Sequence, residues 1–291
     1  MSGQSPAPDP SQQVEGASFS SSPLPLTHSL NLSYLFSILI AILTVVASIA
    51  SILYREDIYP TDEQRQSFLA NDVVNLIIGL PILLGSMWLA WRGILLGLLF
   101  WPGALLYTLY NYLAYLLGMP FNAMFPIYLV IVSASIYTLI GLVASIDGGV
   151  VQKQLLGRVP ERFAGGVLFV LGVLFGLRAM VVLLTALINE TTLARSELAL
   201  SVADFIVSMA WVIGGALLWR RQRLGYVGGP GLLFTLSMLF IGLIALMIIN
   251  PILTGDPFVL LDVIIIFTMG LICFIPLLLF VRGIIESSKD Q

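Results

Sequence analysis

A few ionisable side chains lie inside long apolar stretches of the sequence, where they could form ion pairs or bind a ligand. Arg178 lies in the apolar stretch 163–187, and Asp204 and Asp262 lie in the stretches 198–219 and 258–281. A charge at the centre of a membrane-spanning helix costs about 2.5–3.5 kcal/mol, so it needs an internal partner. We therefore expect Arg178 to pair with Asp204 or Asp262 and to be able to bind an anionic group.

Polar residues at helical spacing form two further stripes. Asp72 and Asn75 open one stripe, which continues through Gly79 and Ser86. The stripe around Asp204 contains Ser201, Ser208 and Gly215. Small and polar residues in this arrangement favour close contact between membrane helices. The stripes therefore have two interpretations: they line an interior polar cavity, or they only fix the packing of the helices through a buried ion pair and small residues.

A third candidate surface is aromatic. Tyr107, Asn111 and Tyr115 share one helical face at i, i+4 and i+8, and Asn122 follows in a short loop. Tyrosine is enriched at both membrane interfaces, which accounts for Tyr115 better than for the deeper Tyr107. Asn111 should form a hydrogen bond inside the bundle. The alternatives are an interfacial belt with ordinary packing, and a tyrosine-lined pocket.

The composition identifies the elements that must position these residues. Hydrophobic residues make up 58% of the 291 positions and charged residues only 10%, whereas soluble domains carry about 25% charged residues. Apolar runs of about 20 residues, the length that crosses a bilayer, recur along the chain. We predict an all-α polytopic bundle of eight spans near residues 32–54, 72–91, 93–118, 123–146, 163–187, 198–219, 224–249 and 258–281.

The distribution of Lys and Arg predicts the orientation. Nine of them fall on the side of the N-terminus and three on the other side, with Arg178 left out because it lies inside a span. Cytoplasmic loops carry the excess of positive charge, so both termini are predicted to be cytoplasmic in a cell membrane. All the polar candidates then lie in the outer half of the spans. A channel or proton relay would need polar groups through the full depth, so this asymmetry favours an outward-facing pocket.

The chain divides into five predicted segments. Residues 1–30, rich in Ser, Pro and Gln, form a disordered cytoplasmic tail. Residues 31–146 and 163–283 form two four-span halves, joined by the cytoplasmic linker 147–162, and residues 284–291 form a short polar tail.

The two halves have a similar sequence pattern. Trp91-Arg92 precedes Pro102-Gly103 at the same spacing as Trp219-Arg220 precedes Pro230-Gly231, and Gly97 corresponds to Gly225. The offset is 128 residues, and four spans per half give both halves the same orientation. The pattern predicts either two parallel repeats about an axis along the membrane normal, or a chance match between helices rich in Leu and Gly.

Several classes of function are excluded or disfavoured. The single cysteine, Cys273, and the single histidine, His28, rule out an internal disulfide and histidine-rich or thiolate metal sites. There is no basic patch for nucleic acid. The aspartates lack the sequence contexts of an intramembrane protease, and no phosphate-binding glycine loop is present. We therefore predict no catalytic residues, no metal and no cofactor.

Segment 30–122 is similar to a loosely defined group of uncharacterised microbial multi-span membrane proteins. The similarity rests on Asp72, Pro81, the Trp91-Arg92-Gly93 turn, the run 109–112 and the pair Phe121-Asn122. The resemblance implies no mechanism, but it draws attention to Asp72, Asn111 and Asn122.

Two functions from different classes are favoured, and an enzyme is kept as a third interpretation that the missing catalytic motifs disfavour. In the first, the protein is a transporter or ligand sensor in the lipid bilayer, and an outward polar pocket binds a small polar or anionic ligand. In the second, it is a non-catalytic scaffold or accessory subunit that packs against a protein partner not yet known.

Overall fold

The computed structural model describes residues 24–255 and 257–289. Within these residues the predicted all-α bundle is confirmed, and the only β-type pairing is an isolated bridge between Leu26 and Ile146. A single helical turn, Arg55–Ile58, lies between the first two helices. The helices are α1 (Asn31–Leu53), α2 (Asp62–Trp91), α3 (Leu95–Gly118), α4 (Phe125–Ala144), α5 (Gly148–Leu155), α6 (Glu161–Ile188), α7 (Arg195–Trp219), α8 (Arg223–Thr254) and α9 (Leu260–Lys289).

Seven of these helices are long and apolar enough to cross a membrane: α1, α2, α4, α6, α7, α8 and α9. The eighth predicted span, α3, is also a helix of 24 residues, but its tyrosines and Asn111 make it less apolar. It lies at the centre of the bundle, where α2, α4, α7 and α8 pack around it. A helix enclosed by protein needs no apolar surface for lipid, which explains its composition.

The long helices alternate in direction and define two ends of the bundle. We call the end that holds Leu26, Ile146 and Arg221 the terminal face, and the end that holds Tyr59 and Ser196 the distal face. On the distal face the hydroxyl of Ser196 donates a hydrogen bond to Glu63, which ties α7 to α2. That the terminal face lies in the cytoplasm stays a prediction.

The largest difference from the predicted boundaries is in α2, which begins at Asp62 rather than at residue 72. The cause is a capping box: the Thr61 hydroxyl accepts from the backbone N–H of Gln64, and the Gln64 side chain accepts from that of Thr61. Polar residues could therefore extend the helix beyond its apolar part. Two π-helical segments, Arg65–Leu69 and Asn75–Gly79, interrupt α2 on either side of Asp72.

The ends of the predicted segments differ in detail. Residues 1–23 of the predicted tail lie outside the described residues, whereas 24–27 pair with the end of α4 through two backbone hydrogen bonds, Thr27 to Ser145 and Asp147 to Pro25. The linker 147–162 contains the short helix α5, which the Asp147 carboxylate caps. Helix α9 continues to Lys289, so most of the predicted C-terminal tail is helical.

The two halves follow the predicted offset in their helix boundaries. Helix α2 ends at Trp91 and α7 ends at Trp219, while α3 begins at Leu95 and α8 begins at Arg223. Both pairs are 128 residues apart. The same offset maps α1 onto α6, whereas α4 maps onto residues 253–272, which include the end of α8 and the first part of α9. That the chain consists of two parallel four-helix halves stays a prediction.

Packing of the glycines follows this register too. Gly97 packs on the last turns of α2, and Gly225 packs on the matching residues of α7. Gly103 of α3 and Gly231 of α8 face each other, and a methyl group added to Gly103 would overlap the Gly231 carbonyl. Two equivalent residues that contact each other lie beside the axis relating their halves. The contact is where a pseudo-twofold axis between the predicted halves would lie, and the axis itself stays a prediction.

The turns that close each helix pair also correspond, and they provide a test. Gly93 has a φ of 76° and its counterpart, Arg221, has a φ of 55°. A side chain in this left-handed region costs roughly 1–2 kcal/mol.

Gly93→Ala should therefore destabilise the protein by about 1 kcal/mol. The control is Gly85→Ala in the preceding helix α2, where the methyl group meets no atom within 4 Å. Thermal unfolding in detergent should show a higher Tm for this control than for the wild type, because Ala is a better helix former than Gly. Equal effects of the two substitutions would contradict the assigned turn.

Candidate functional site

The structure does not bring the predicted site residues together in one recess. Asp72 and Tyr115 belong to a buried cluster in the first half. Arg178 and Asp204 form an ion pair on the outer surface of α6 and α7. The candidate site described below is the first of these groups, which we call the Asp72 cluster: Asp72, Tyr59, Phe68, Tyr112, Tyr115 and Tyr128, with Thr44, Ser48 and Ser51 of α1.

Asp72 is the centre of the cluster and is 1% exposed. Its carboxyl group accepts a hydrogen bond from the Tyr59 hydroxyl at 2.5 Å and another from the Tyr115 hydroxyl at 3.1 Å. The Tyr115 hydroxyl also lies 3.1 Å from the backbone carbonyl of Phe68. Among the described residues, no Lys, Arg or His forms an ion pair with Asp72. Hydroxyl groups thus replace water around a buried carboxyl.

Aromatic rings enclose this carboxyl. The ring of Tyr115 packs against Phe68 at 4.9 Å, against Tyr128 at 5.3 Å and against Tyr112 at 5.5 Å between centroids. All four rings are buried. Burial and the neighbouring Asp72 carboxyl raise the pKa of Tyr59 well above its ordinary value. The Tyr59 hydroxyl therefore stays protonated and remains a donor.

Helices α1 and α4 supply hydroxyl groups that form no hydrogen bond of normal geometry. The side-chain oxygens of Ser51, Tyr128 and Thr44 are fully buried and unpaired. Ser51 lies beside the hydroxyls of Tyr59 and Tyr128, and Ser48 lies beside Asp72. A buried polar group without a partner costs about 1–3 kcal/mol, so three of them in one place need an explanation.

The matching positions of the second half show that the architecture does not require these hydroxyls. At the offset of 128, Thr44, Ser48 and Ser51 correspond to small residues of α6, which are Gly172, Gly176 and Ala179. The two glycines of this set allow α6 to pack directly on Val212 and Ser208 of α7.

The first half is more open at this point. Helices α6 and α7 form the most extensive contact of any helix pair, whereas α1 contacts α2 and α4 about equally and neither of them as extensively. Helix α7 is α-helical throughout, but its counterpart α2 contains the two π-helical segments. Segments of this kind occur frequently at functional sites. The Asp72 cluster therefore fills a space that tight helix packing occupies in the second half.

A groove of about 500 Å³ opens on the distal face above the cluster. Its charged lining consists of Arg55, Glu56, Asp62 and Arg65, and the end of α8 supplies its apolar edge. The groove is connected to the cluster by Arg65, whose guanidinium donates to the carbonyl of Tyr59 at 3.1 Å. The guanidinium also pairs with Asp62. This arrangement offers both charge signs to a small molecule.

The predicted pairing of Arg178 with Asp204 is present, at 3.1 Å, and Tyr110 donates a second hydrogen bond to the same carboxylate at 2.8 Å. The environment differs from the expected one, because the Arg178 side chain is 66% exposed. The small residues Gly172 and Gly176 draw α6 and α7 so close that they leave no interior space for a long side chain. Arg178 therefore does not line a cavity within the described residues.

The other predicted candidates lie apart. Asp262 is exposed near the start of α9 and makes no contact with Arg178. Asn122 accepts from the backbone N–H of Met124 and so fixes the loop before α4. Asn111 accepts a hydrogen bond from the Asn71 side chain and donates one to the backbone carbonyl of Tyr107. The Tyr107 side chain is buried against α2 and α8. Asn75 is buried, and its amide nitrogen has no partner.

Several residues of the cluster were not predicted. Tyr59 and Tyr128 lie outside or at the edge of the apolar stretches, and Ser48 and Ser51 resemble ordinary small residues of a packed span. The available signal was the spacing of Thr44, Ser48 and Ser51, which places three hydroxyls on one helical face. On the terminal face, the buried Glu161 was also missed; it accepts from Tyr226 and from the backbone of Gly157.

Comparison with known proteins finds no matching family model, no matching curated protein and no matching solved structure. Function must therefore be inferred from the geometry of the chain itself. Seven helices with apolar outer surfaces and the length to cross a bilayer make the protein a multi-pass helical membrane protein.

Proposed function

We propose that the protein binds a small polar solute from its distal face, as a transporter or as a receptor. The groove above α2 is the proposed entry, and the Asp72 cluster is the polar interior below it. The observation that carries this proposal is the asymmetry of the duplicated bundle. Within the described residues, the Asp72 cluster of the first half combines a buried carboxyl, hydroxyls without a hydrogen bond of normal geometry and two flanking π-helical segments, whereas the matching positions of the second half pack tightly.

The lining of the groove indicates the class of solute. Arg55 and Arg65 offer hydrogen bonds to a carboxylate or phosphate, and Glu56 and Asp62 offer acceptors for an amino or hydroxyl group. The volume of about 500 Å³ falls in the usual range for small-molecule sites. A small molecule that carries both an anionic group and an amino or hydroxyl group fits this lining best.

The test is a thermal-unfolding screen of the purified protein against amino acids, dicarboxylates and inorganic phosphate. At a hundred times its Kd, a ligand stabilises a protein by about 2.7 kcal/mol, which raises the Tm by several degrees. Arg65→Gln should abolish the shift produced by the active compound. Arg195→Gln is the matched control, because Arg195 begins α7 away from the groove. If no compound raises the Tm, or if both variants respond like the wild type, the proposal is wrong.

The exposed ion pair favours a second candidate, a subunit of a larger membrane complex. Arg178 lies within α6 among exposed apolar side chains such as Leu174, Leu177 and Val181. A charge facing lipid at that depth is expensive, so coverage by another membrane helix would stabilise it. Purification in mild detergent separates the candidates. A stoichiometric second protein supports the subunit role, and a single chain that binds solute supports transport or sensing.

A further inference from the structure

The Asp72 cluster contains more oxygen atoms than it contains hydrogen-bond partners for them. The carboxyl of Asp72 and the carbonyl of Phe68 share the hydroxyl of Tyr115 as a donor. The hydroxyls of Ser51 and Tyr128, which are 0% and 1% exposed, form no hydrogen bond of normal geometry, although they lie beside each other and beside the Tyr59 hydroxyl. These atoms come from four separate elements, so their convergence does not follow from one local turn.

The charge balance of the cluster is equally incomplete. An ionised carboxylate in a dry interior needs a compensating positive charge, since hydroxyl donors alone replace only part of its hydration. Within the described residues the nearby guanidinium of Arg65 binds the Tyr59 carbonyl and Asp62, and it does not pair with Asp72. A bound cation would supply the charge and would also give the unpaired hydroxyl oxygens a partner.

We propose that the Asp72 cluster is a binding site for a dehydrated monovalent cation, with Na⁺ as the ion to test. Asp72, the Phe68 carbonyl and the hydroxyls of Ser51 and Tyr128 are the ligands, and Tyr59 closes the site towards the groove. Carboxylate, carbonyl and hydroxyl oxygens replace the hydration shell of such ions in membrane proteins.

The ligand set fits a monovalent ion better than a divalent ion. Calcium sites take six to eight oxygen ligands and usually several carboxylates, and magnesium retains most of its water. The cluster has a single carboxylate, and no group of three or more His, Cys, Asp or Glu residues occurs among the described residues. One carboxylate balances one positive charge, which matches a monovalent ion.

This inference deepens the proposed function, because an ion in the cluster would lie directly below the groove and could couple its occupancy to that of a solute. The site is nevertheless testable without any solute. Failure of the solute screen would leave ion binding unaffected, and failure of ion binding would leave a solute groove that works without a coupling ion.

The experiment is equilibrium binding of ²²Na⁺ to the purified full chain in detergent, with choline chloride holding the ionic strength constant. The wild type should bind one Na⁺ per chain in a saturable manner. Asp72→Asn should bind at least tenfold more weakly, and Ser51→Ala and Tyr128→Phe should each weaken binding several-fold. Asp262→Asn is the matched control, because this exposed aspartate lies outside the cluster, and it should bind like the wild type. The Tm of the wild type should rise by about 4 °C in Na⁺ and not in choline.

Three results would overturn the proposal. The first is the absence of saturable Na⁺ binding to the wild type, including the case in which the cluster binds only a proton. The second is Na⁺ binding by Asp72→Asn at wild-type affinity. If Asp72→Asn fails to fold, Ser51→Ala and Tyr128→Phe decide, because both retain the carboxylate; wild-type affinity in both would be the third contrary result.

Discussion

Gly103→Val should separate the two halves of the bundle and cost about 3 kcal/mol or more, the upper end of the range for overpacked cores. Gly103 is completely enclosed where α3 meets α8, and the added side chain would overlap the backbone of Gly231. The backbones cannot move apart locally, because α3 is packed on four sides. The measurement is thermal unfolding in detergent, together with the amount of monodisperse protein after size-exclusion chromatography.

The matched control for this prediction is Gly228→Val. Gly228 lies in α8 close to Gly231, but a side chain there meets no atom within 4 Å. The control carries the same change in helix propensity and lacks the steric overlap, so it should accumulate like the wild type. If Gly103→Val is as stable as Gly228→Val, then α3 and α8 do not meet at this glycine pair, and the assigned axis is wrong.

Tyr115→Ala is the second large prediction, and it should cost about 3–5 kcal/mol, as truncation of a fully buried aromatic residue does. Tyr115 is completely buried, its ring contacts Phe68, Tyr112 and Tyr128, and its hydroxyl bonds Asp72. The substitution removes this packing and also takes a donor from a buried carboxyl. Thermal unfolding of the variant in detergent measures the loss.

Two further variants separate the contribution of the Tyr115 hydroxyl from that of its buried ring. Tyr115→Phe keeps the ring and removes only the hydroxyl, so we expect a loss of about 1–2 kcal/mol from the unpaired acceptor. Tyr137→Ala removes a tyrosine that is 73% exposed on α4, and it should be close to neutral. A cost for Tyr115→Ala no larger than that for Tyr137→Ala would show that the ring is not enclosed as described.

The sequence predicted the fold well because hydrophobicity and length alone select membrane helices. The 128-residue offset found in two short motifs reappears in the helix ends at Trp91 and Trp219 and in the contact of Gly103 with Gly231. The early start of α2 was not predictable from hydropathy, because its first six residues are polar and the Thr61 capping box starts the helix ahead of its apolar part.

The site was only partly predictable. Asp72 and Tyr115 were identified as candidates from their positions in the spans, but nothing in the spacing showed that they share one cluster. Arg178 was expected to be buried because a charge in a span usually faces the interior. Because α6 packs closely on α7, the Arg178 side chain is exposed instead. A contact between two helices cannot be read from the periodicity of either helix alone.

The central claim is that the first half of a duplicated bundle is opened to hold an ion at Asp72. The most direct test is an experimental density map of the protein in Na⁺, at a resolution that shows single ions. The account predicts a discrete peak of density between the Asp72 carboxylate and the hydroxyls of Ser51 and Tyr128, absent in Asp72→Asn. Continuous side-chain packing there, with the Tyr128 hydroxyl bonded directly to Asp72 and no peak, would contradict it.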